Sequence, residues 1–291
     1  MEDNPAIFNK SVSSILLEMK NELPIEPIPS ENKPKDKRLK KIPFKTLPSL
    51  PTNCVILGRV GSGKSSCLYS MLKDGYVNGK KSVFDEMVFY LGNKESAPAF
   101  EKIPCKNKAI LYNFDPDAFE EYLESLKKHQ LERLEKNKPP LNVAIIMDDF
   151  AGVSLLKKQK GKSSSPLERL FLTSRHEANC SIFFLSQVLK SAGFTTPTIR
   201  NNVMTWIVYS MTKPEIEKMA EDHCQQYSPK EFIQIYNKIM ETPYNFLTID
   251  YRRPINERLW ERFSNPVENP SYTLSESDVP SSSEGEQSES D

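Results

Sequence analysis

Gly58, Gly63, Lys64 and Ser65 stand at the spacing G-x-x-x-x-G-K-[ST] within VILGRVGSGKSSCLYSML, residues 55–72. That spacing suits one chemistry. Glycines let backbone N–H groups turn inward around phosphate oxygens, the helix that follows adds its positive end, and the lysine reaches the terminal phosphates. The candidate nucleotide-binding set is Gly58, Arg59, Val60, Gly61, Ser62, Gly63, Lys64, Ser65 and Ser66, with the Ser65 hydroxyl offered to Mg²⁺. A second piece is the apolar run 143–147 ending in Asp148-Asp149. The first acid at such a strand end suits the Mg²⁺ hydration shell, and the second suits orienting or deprotonating the attacking water. Asp at 149, where many ATPases carry Glu, sets the carboxylate back by about one C–C bond, ~1.5 Å. A third polar group, Gln187, follows the run CSIFFLS and is expected at the carboxyl edge of a sheet, where it can sense a γ-phosphate or bond the catalytic water. No N-K-x-D guanine reader is present, because Asn93-Lys94 continues with Glu95-Ser96. The nucleotide expected is therefore ATP with Mg²⁺.

These residues need a scaffold, and the order of apolar runs supplies one. Short β-branched or aromatic runs at 54–58, 86–92, 141–147, 180–186, 203–210 and 244–250 alternate with helical patterns at 64–73, 115–136, 166–177, 213–223 and 229–240. In the longest helix Phe119, Tyr122, Leu123, Leu126 and Leu131 are expected on the buried face, with Asp115 as N-cap ahead of Pro116. Strands that are apolar throughout and separated by helices predict an α/β fold, a mainly parallel sheet covered on both faces.

Composition sets the limits of that domain. Residues 1–51 are rich in proline and basic residues and are expected to be largely disordered, 52–263 to form the folded domain, and 264–291 to be an acidic, Ser-rich disordered tail. Net charge is zero, but the tail holds seven acids and no base, so residues 1–263 carry +7, a balance compatible with an anionic partner. Five cysteines, odd in number and without a C-x-x-C pair, argue against a disulfide framework or zinc ribbon and for a reducing compartment. The His223-Cys224 pair is read as ordinary helix surface. No apolar run approaches the length that spans a bilayer, and the first residues lack the pattern of a signal peptide.

With these pieces in order, the chain resembles the FtsK–HerA superfamily of DNA-pumping ATPases, and within it the genome-packaging ATPases of poxvirus-like large DNA viruses, virophages and related mobile elements. The resemblance spans about residues 52–250 and rests on GRVGSGKSS, NVAIIMDDF, LTSRHEANCSIFFLSQ and PTIRNNV. It implies a RecA/FtsK-like P-loop core and assigns Lys64 and Ser65 to phosphates and Mg²⁺, Asp148 to Mg²⁺, Asp149 to water activation and Gln187 to γ-phosphate sensing. It further implies a homo-oligomeric ring, pentamer or hexamer, that encircles double-stranded DNA, with an arginine entering each site from the neighbouring subunit. Arg175 and Arg200 are the candidates, and the sequence does not choose between them; Arg59, inside the loop, fits a role in its own site better.

The same resemblance gives a task to LLKKQKGKSSSP, residues 155–166. Lys157, Lys158, Lys160 and Lys162 could face the pore and touch backbone phosphates without reading bases, or the loop could simply be solvated. The implied activity is ATP-driven packaging of viral DNA into a preformed capsid, with a capsid or portal-vertex protein as partner. The implied place is the host cytoplasm (a viral factory), the nucleus or the virion, without a membrane. Two alternatives stay open: a HerA-like translocase or helicase in repair, and a nucleotide-gated assembly protein without processive hydrolysis.

Overall fold

Segments that are apolar at every position become the buried strands of a computed structural model that describes residues 35–148, 163–187, 189 and 196–267. In chain order the elements are β1 (Asn53–Leu57), α1 (Lys64–Ser70), the hairpin β2 (Val77–Asn78) and β3 (Lys81–Ser82), β4 (Glu86–Leu91), α2 (Ala97–Glu101), β5 (Asn107–Leu111), α3 (Pro116–Glu135), β6 (Val143–Asp148), α4 (Pro166–Glu177), β7 (Cys180–Ser186), α5 (Pro197–Asn202), β8 (Thr205–Val208), α6 (Lys213–His223), α7 (Pro229–Met240), β9 (Leu247–Asp250), β10 (Leu259–Glu261) and β11 (Asn265–Pro266). Among the described residues one sheet has nine strands in the order β11-β10-β9-β8-β1-β7-β6-β4-β5. From β8 to β5 all neighbours are parallel, whereas β9, β10 and β11 extend the sheet antiparallel.

Alternation along each strand feeds two cores. Val55 and Leu57 of β1 join α3, α4, α6 and α7 on one face, while Cys54 and Ile56 join α1 on the other. Helices therefore cover both faces, and every position of β1, β6 and β7 is buried.

Four local expectations are revised. In α3 the buried stripe is Phe119, Leu123, Leu126 and Gln130, while Leu131 is 61% exposed. Gln130 donates to the carbonyls of Leu141 (2.9 Å) and Ala178 (2.7 Å) and accepts from Leu141 N–H (2.8 Å), so a polar residue takes the inward position by satisfying backbone groups between strands. His223 is buried, its ring 5.1 Å from that of Trp206, and is not helix surface. Residues 35–51, part of the segment expected to be largely disordered, lie along the α1 face as a strap. Leu47 is buried, Arg38 pairs with Asp85 (2.8 Å), and Tyr76 donates its hydroxyl hydrogen to Pro48 O (2.7 Å). At the other end β11 and the buried Val267 extend the sheet past residue 263.

Candidate phosphate site and the opposite edge of the sheet

β1 ends at Leu57 and the chain turns at once into the glycine loop. Gly58 N–H donates to Ser186 O (3.2 Å) and Arg59 N–H to Ser210 O (3.2 Å), which fixes the loop's root between the ends of β7 and β8. A Cβ on Gly58 would come within 2.5 Å of Tyr209 Cβ and 2.7 Å of Ser62 Oγ, so only glycine fits there. Gly63 has φ of 101° and is the residue from which α1 starts, a left-handed backbone that glycine adopts without strain. Lys64 is buried in the first turn of α1 and donates from Nζ to the carbonyls of Gly58 (2.8 Å) and Arg59 (3.0 Å). Its ammonium is thus held inside the loop, where a phosphate oxygen would compete for it as a stronger, charged acceptor.

Strand register places the acid and the amide. Leu57 pairs with Ser186, and Met147 pairs with Phe184, so Asp148 stands level with Leu185, one residue below the loop's root. It lies two strands from β1, about 10 Å across the sheet. Asp148 is buried, and its carbonyl accepts from Gly92 N–H (2.9 Å) as the strand closes. Gln187 follows β7, the strand between them, and is exposed at the same carboxyl edge. Gly58 to Ser66, Asp148 and Gln187 are therefore gathered at one edge, while Asp149, Lys157, Lys158, Lys160 and Lys162 lie outside the described residues.

The site fits a hard divalent ion only in part from its own atoms. Ser65 hydroxyl and Asp148 carboxylate are oxygen donors of the type Mg²⁺ takes. Among the described residues no group of three or more His, Cys, Asp or Glu could hold an ion alone, so phosphate oxygens and water would complete the shell.

Arg175 and Arg200 are at the other edge. Ser165 caps α4 with a capping box, its hydroxyl accepting from Glu168 N–H (3.2 Å) while the Glu168 carboxylate accepts from Ser165 N–H (2.8 Å). Asn53, the first residue of β1, donates from Nδ2 to Phe171 O in α4 (3.0 Å) and to Asn202 O at the end of α5 (2.9 Å). Those bonds hold both helices to the amino end of β1. Arg175 and Arg200 consequently line one cavity of 550 Å³ with Asn53, Met204, Asp222 and His223. Arg200 donates to Asp222 (2.9 Å), which Lys218 also approaches at 3.2 Å. Arg175 Nη1 lies 3.4 Å from Met204 Sδ. The length of β1, about 16 Å at the usual rise, separates the two arginines from their own loop.

Burial in that cavity pulls the His223 imidazole down from 6.5 to about 4. The native state then keeps the ring neutral while the unfolded chain takes up a proton below about 6.5, so stability falls as pH drops from there towards 4. Across the whole window the loss approaches about 3 kcal/mol. Urea unfolding of the wild type should show that decline, and His223→Gln should flatten it; an equal pH slope in the variant would assign the acid sensitivity elsewhere.

A mainly parallel sheet with a glycine-rich phosphate loop between β1 and α1, and an acid closing a strand two places away, defines a P-loop NTPase core. No protein-family model and no curated protein matches the chain. Among solved structures the chain is similar to the DNA-packaging ATPase B204 of Sulfolobus turreted icosahedral virus, at 14% identity and a TM-score of 0.48, over 70% of this chain and 94% of that one. It is also similar to the genome-packaging NTPase B204 of Sulfolobus turreted icosahedral virus 2 in complex with ATP-gammaS (16%, TM-score 0.46, 72% and 95% of the two chains). A further likeness is to ATPases 2 and 3 of EssC from Geobacillus thermodenitrificans (16%, TM-score 0.45), covering 74% of this chain and 38% of that one.

Proposed function

We propose that the chain is an ATP hydrolase that works as a ring and drives viral double-stranded DNA into a preformed capsid, in the host cell. The observation that carries this reading is the division of its polar machinery between two edges of one sheet. Loop, Asp148 and Gln187 share the carboxyl edge, whereas Arg175 and Arg200 stand at the amino edge. A subunit built this way is completed by a neighbour whose amino edge faces its loop. The sequence resemblance at residues 52–250 supports the same arrangement.

In that reading Lys64 leaves the Gly58 and Arg59 carbonyls for the β- and γ-phosphates, and the loop's N–H groups and the α1 terminus hold the remaining oxygens. Mg²⁺, bound with the nucleotide at Ser65 and through Asp148, would neutralise charge on the leaving phosphates. Asp149 takes the proton of the attacking water, and Gln187 orients that water against the γ-phosphate. An arginine from the next subunit stabilises the charge that develops on the transferred group.

Phosphate release measured with and without double-stranded DNA tests the motor. Stimulation by DNA is expected; ATP binding with negligible turnover in both conditions would support a nucleotide-gated assembly protein instead. Replacing Lys157, Lys158, Lys160 and Lys162 together should flatten the salt dependence of DNA binding, by up to about four units of slope if all four touch phosphates. ATP affinity should be unaffected. An unchanged salt slope would remove these lysines from the DNA path.

A further inference from the structure

On the α1 face of the sheet a cleft of about 830 Å³ opens beside the phosphate loop. One wall is continuous with the phosphate site, running from Gly63, Lys64 and Ser65 along α1 and the π-helical turn that continues it, Met71–Gly75. The opposite walls bring together parts of the chain that are far apart in sequence: Phe44 and Leu47 of the strap, Tyr209 after β8, Tyr244 and Phe246 before β9, and Arg262 after β10. We propose that this cleft receives the nucleobase of the triphosphate, stacked on Tyr244 and Phe44, and that the strap is thereby part of the nucleotide site. The inference rests on the ATP reading of the loop and adds to it the residues that hold the base.

Four observations lead there. Tyr244 is 69% exposed and Phe44 is 54% exposed, large rings left facing a cleft instead of a core. Such rings offer flat apolar surface to an aromatic ligand. Tyr244 and Arg262 both adopt a left-handed backbone, with φ of 58° and 55°. Non-glycine residues keep that conformation where surrounding contacts impose it, and such positions gather at ligand sites. For Arg262 the contacts are visible: its N–H donates to Phe246 O (2.9 Å), and its carbonyl accepts from Thr248 Oγ1 (2.6 Å).

The Arg262 guanidinium lies 5.7 Å from the centre of the Phe246 ring, and among the described residues no carboxylate pairs with it. It adds a positive charge to a cleft whose lining also carries Lys64, Asp74 and the serines of α1, so the aromatic rings stand beside polar groups, as a ligand with both a flat ring and charged groups requires. The strap, finally, is fastened where it forms the wall. Arg253 donates to Thr46 O (3.3 Å), Arg252 donates to Ser49 O, and Tyr76 donates to Pro48 O. Gly75 lets it approach, because a Cβ there would come within 2.5 Å of Leu47 Cδ1.

The test separates base from phosphates. Binding of MgATP and of magnesium tripolyphosphate to the full chain is measured by calorimetry for the wild type, Tyr244→Ala, Phe44→Ala, Tyr244→Phe and Lys64→Ala. Each alanine at an aromatic position should weaken ATP about tenfold, the scale of one lost base-stacking contact, and leave tripolyphosphate unchanged. Tyr244→Phe, which keeps the ring, should bind ATP like the wild type. Lys64→Ala should weaken both ligands. Aromatic variants that bind ATP normally, or that lose tripolyphosphate to the same extent, would overturn the base site while leaving the ATP reading in place. A wild type that binds neither ligand would overturn both. Because both rings are more than half exposed, alanine at either position leaves the fold intact.

Discussion

Lys64→Ala is expected to lower steady-state ATP hydrolysis about 10²- to 10³-fold, with or without DNA, the cost of removing one preorganised donor to a charged transition state. The ammonium already sits inside the loop on the Gly58 and Arg59 carbonyls at 2.8 and 3.0 Å, so its catalytic position requires only an exchange of acceptors. The same geometry warns of a side effect. Removing Nζ deprives the Gly58 carbonyl of a buried donor, which costs about 1–3 kcal/mol of stability. A thermal midpoint measured on the same preparation separates the two consequences, because a loss of that size leaves the folded state dominant at 25 °C for a domain of ordinary stability. Hydrolysis at the wild-type rate in a folded Lys64→Ala protein would remove the loop from the chemistry.

The phosphate loop was legible in sequence because its parts are adjacent in sequence. Strand, turn glycines, lysine and helix start all lie within residues 53–70, and each residue type has a local reason to be there. The central strands were legible for a similar reason: β1, β6 and β7 are buried at every position, so their apolarity shows without knowledge of their partners. Elements whose stability is not local were not legible. β5 alternates between exposed and half-buried positions at the sheet's edge, and β10 and β11 are three and two residues long. The strap reads as linker because its composition is proline and lysine, yet its carbonyls accept from Tyr76, Arg252 and Arg253, residues whose proximity only the tertiary fold creates. The aromatic cleft escaped for the same reason, since its walls come from segments near residues 44, 64–75, 209, 244 and 262. In α3 the difference is one of phase. Hydropathy favours Leu131 as the inward residue, but Gln130 satisfies three backbone groups that no leucine could, and those bonds outweigh the hydropathy.

Mixing two inactive proteins should restore activity. Arg175→Ala or Arg200→Ala, whichever supplies the finger, is expected to lower turnover about 10³- to 10⁵-fold while ATP binding persists. Neither substitution strands a buried charge: Asp222 keeps Lys218 at 3.2 Å once Arg200 is gone, and Arg175 reaches across to the uncharged Met204 sulfur. The arginines stand about 16 Å from the loop of their own subunit, at the opposite end of β1, so a ring of either single variant has every site incomplete. Combined with Lys64→Ala subunits in equal amounts, the arginine variant contributes an intact loop and its Lys64→Ala neighbour an intact arginine. In randomly assembled rings about a quarter of the interfaces then join the two intact halves, and DNA-stimulated hydrolysis should return to roughly that fraction of the wild-type value if sites fire independently. The arginine whose variant is complemented is the finger. If neither mixture recovers, although both variants bind ATP and assemble, catalysis is completed within one subunit, and the two edges of the sheet do not meet across an interface.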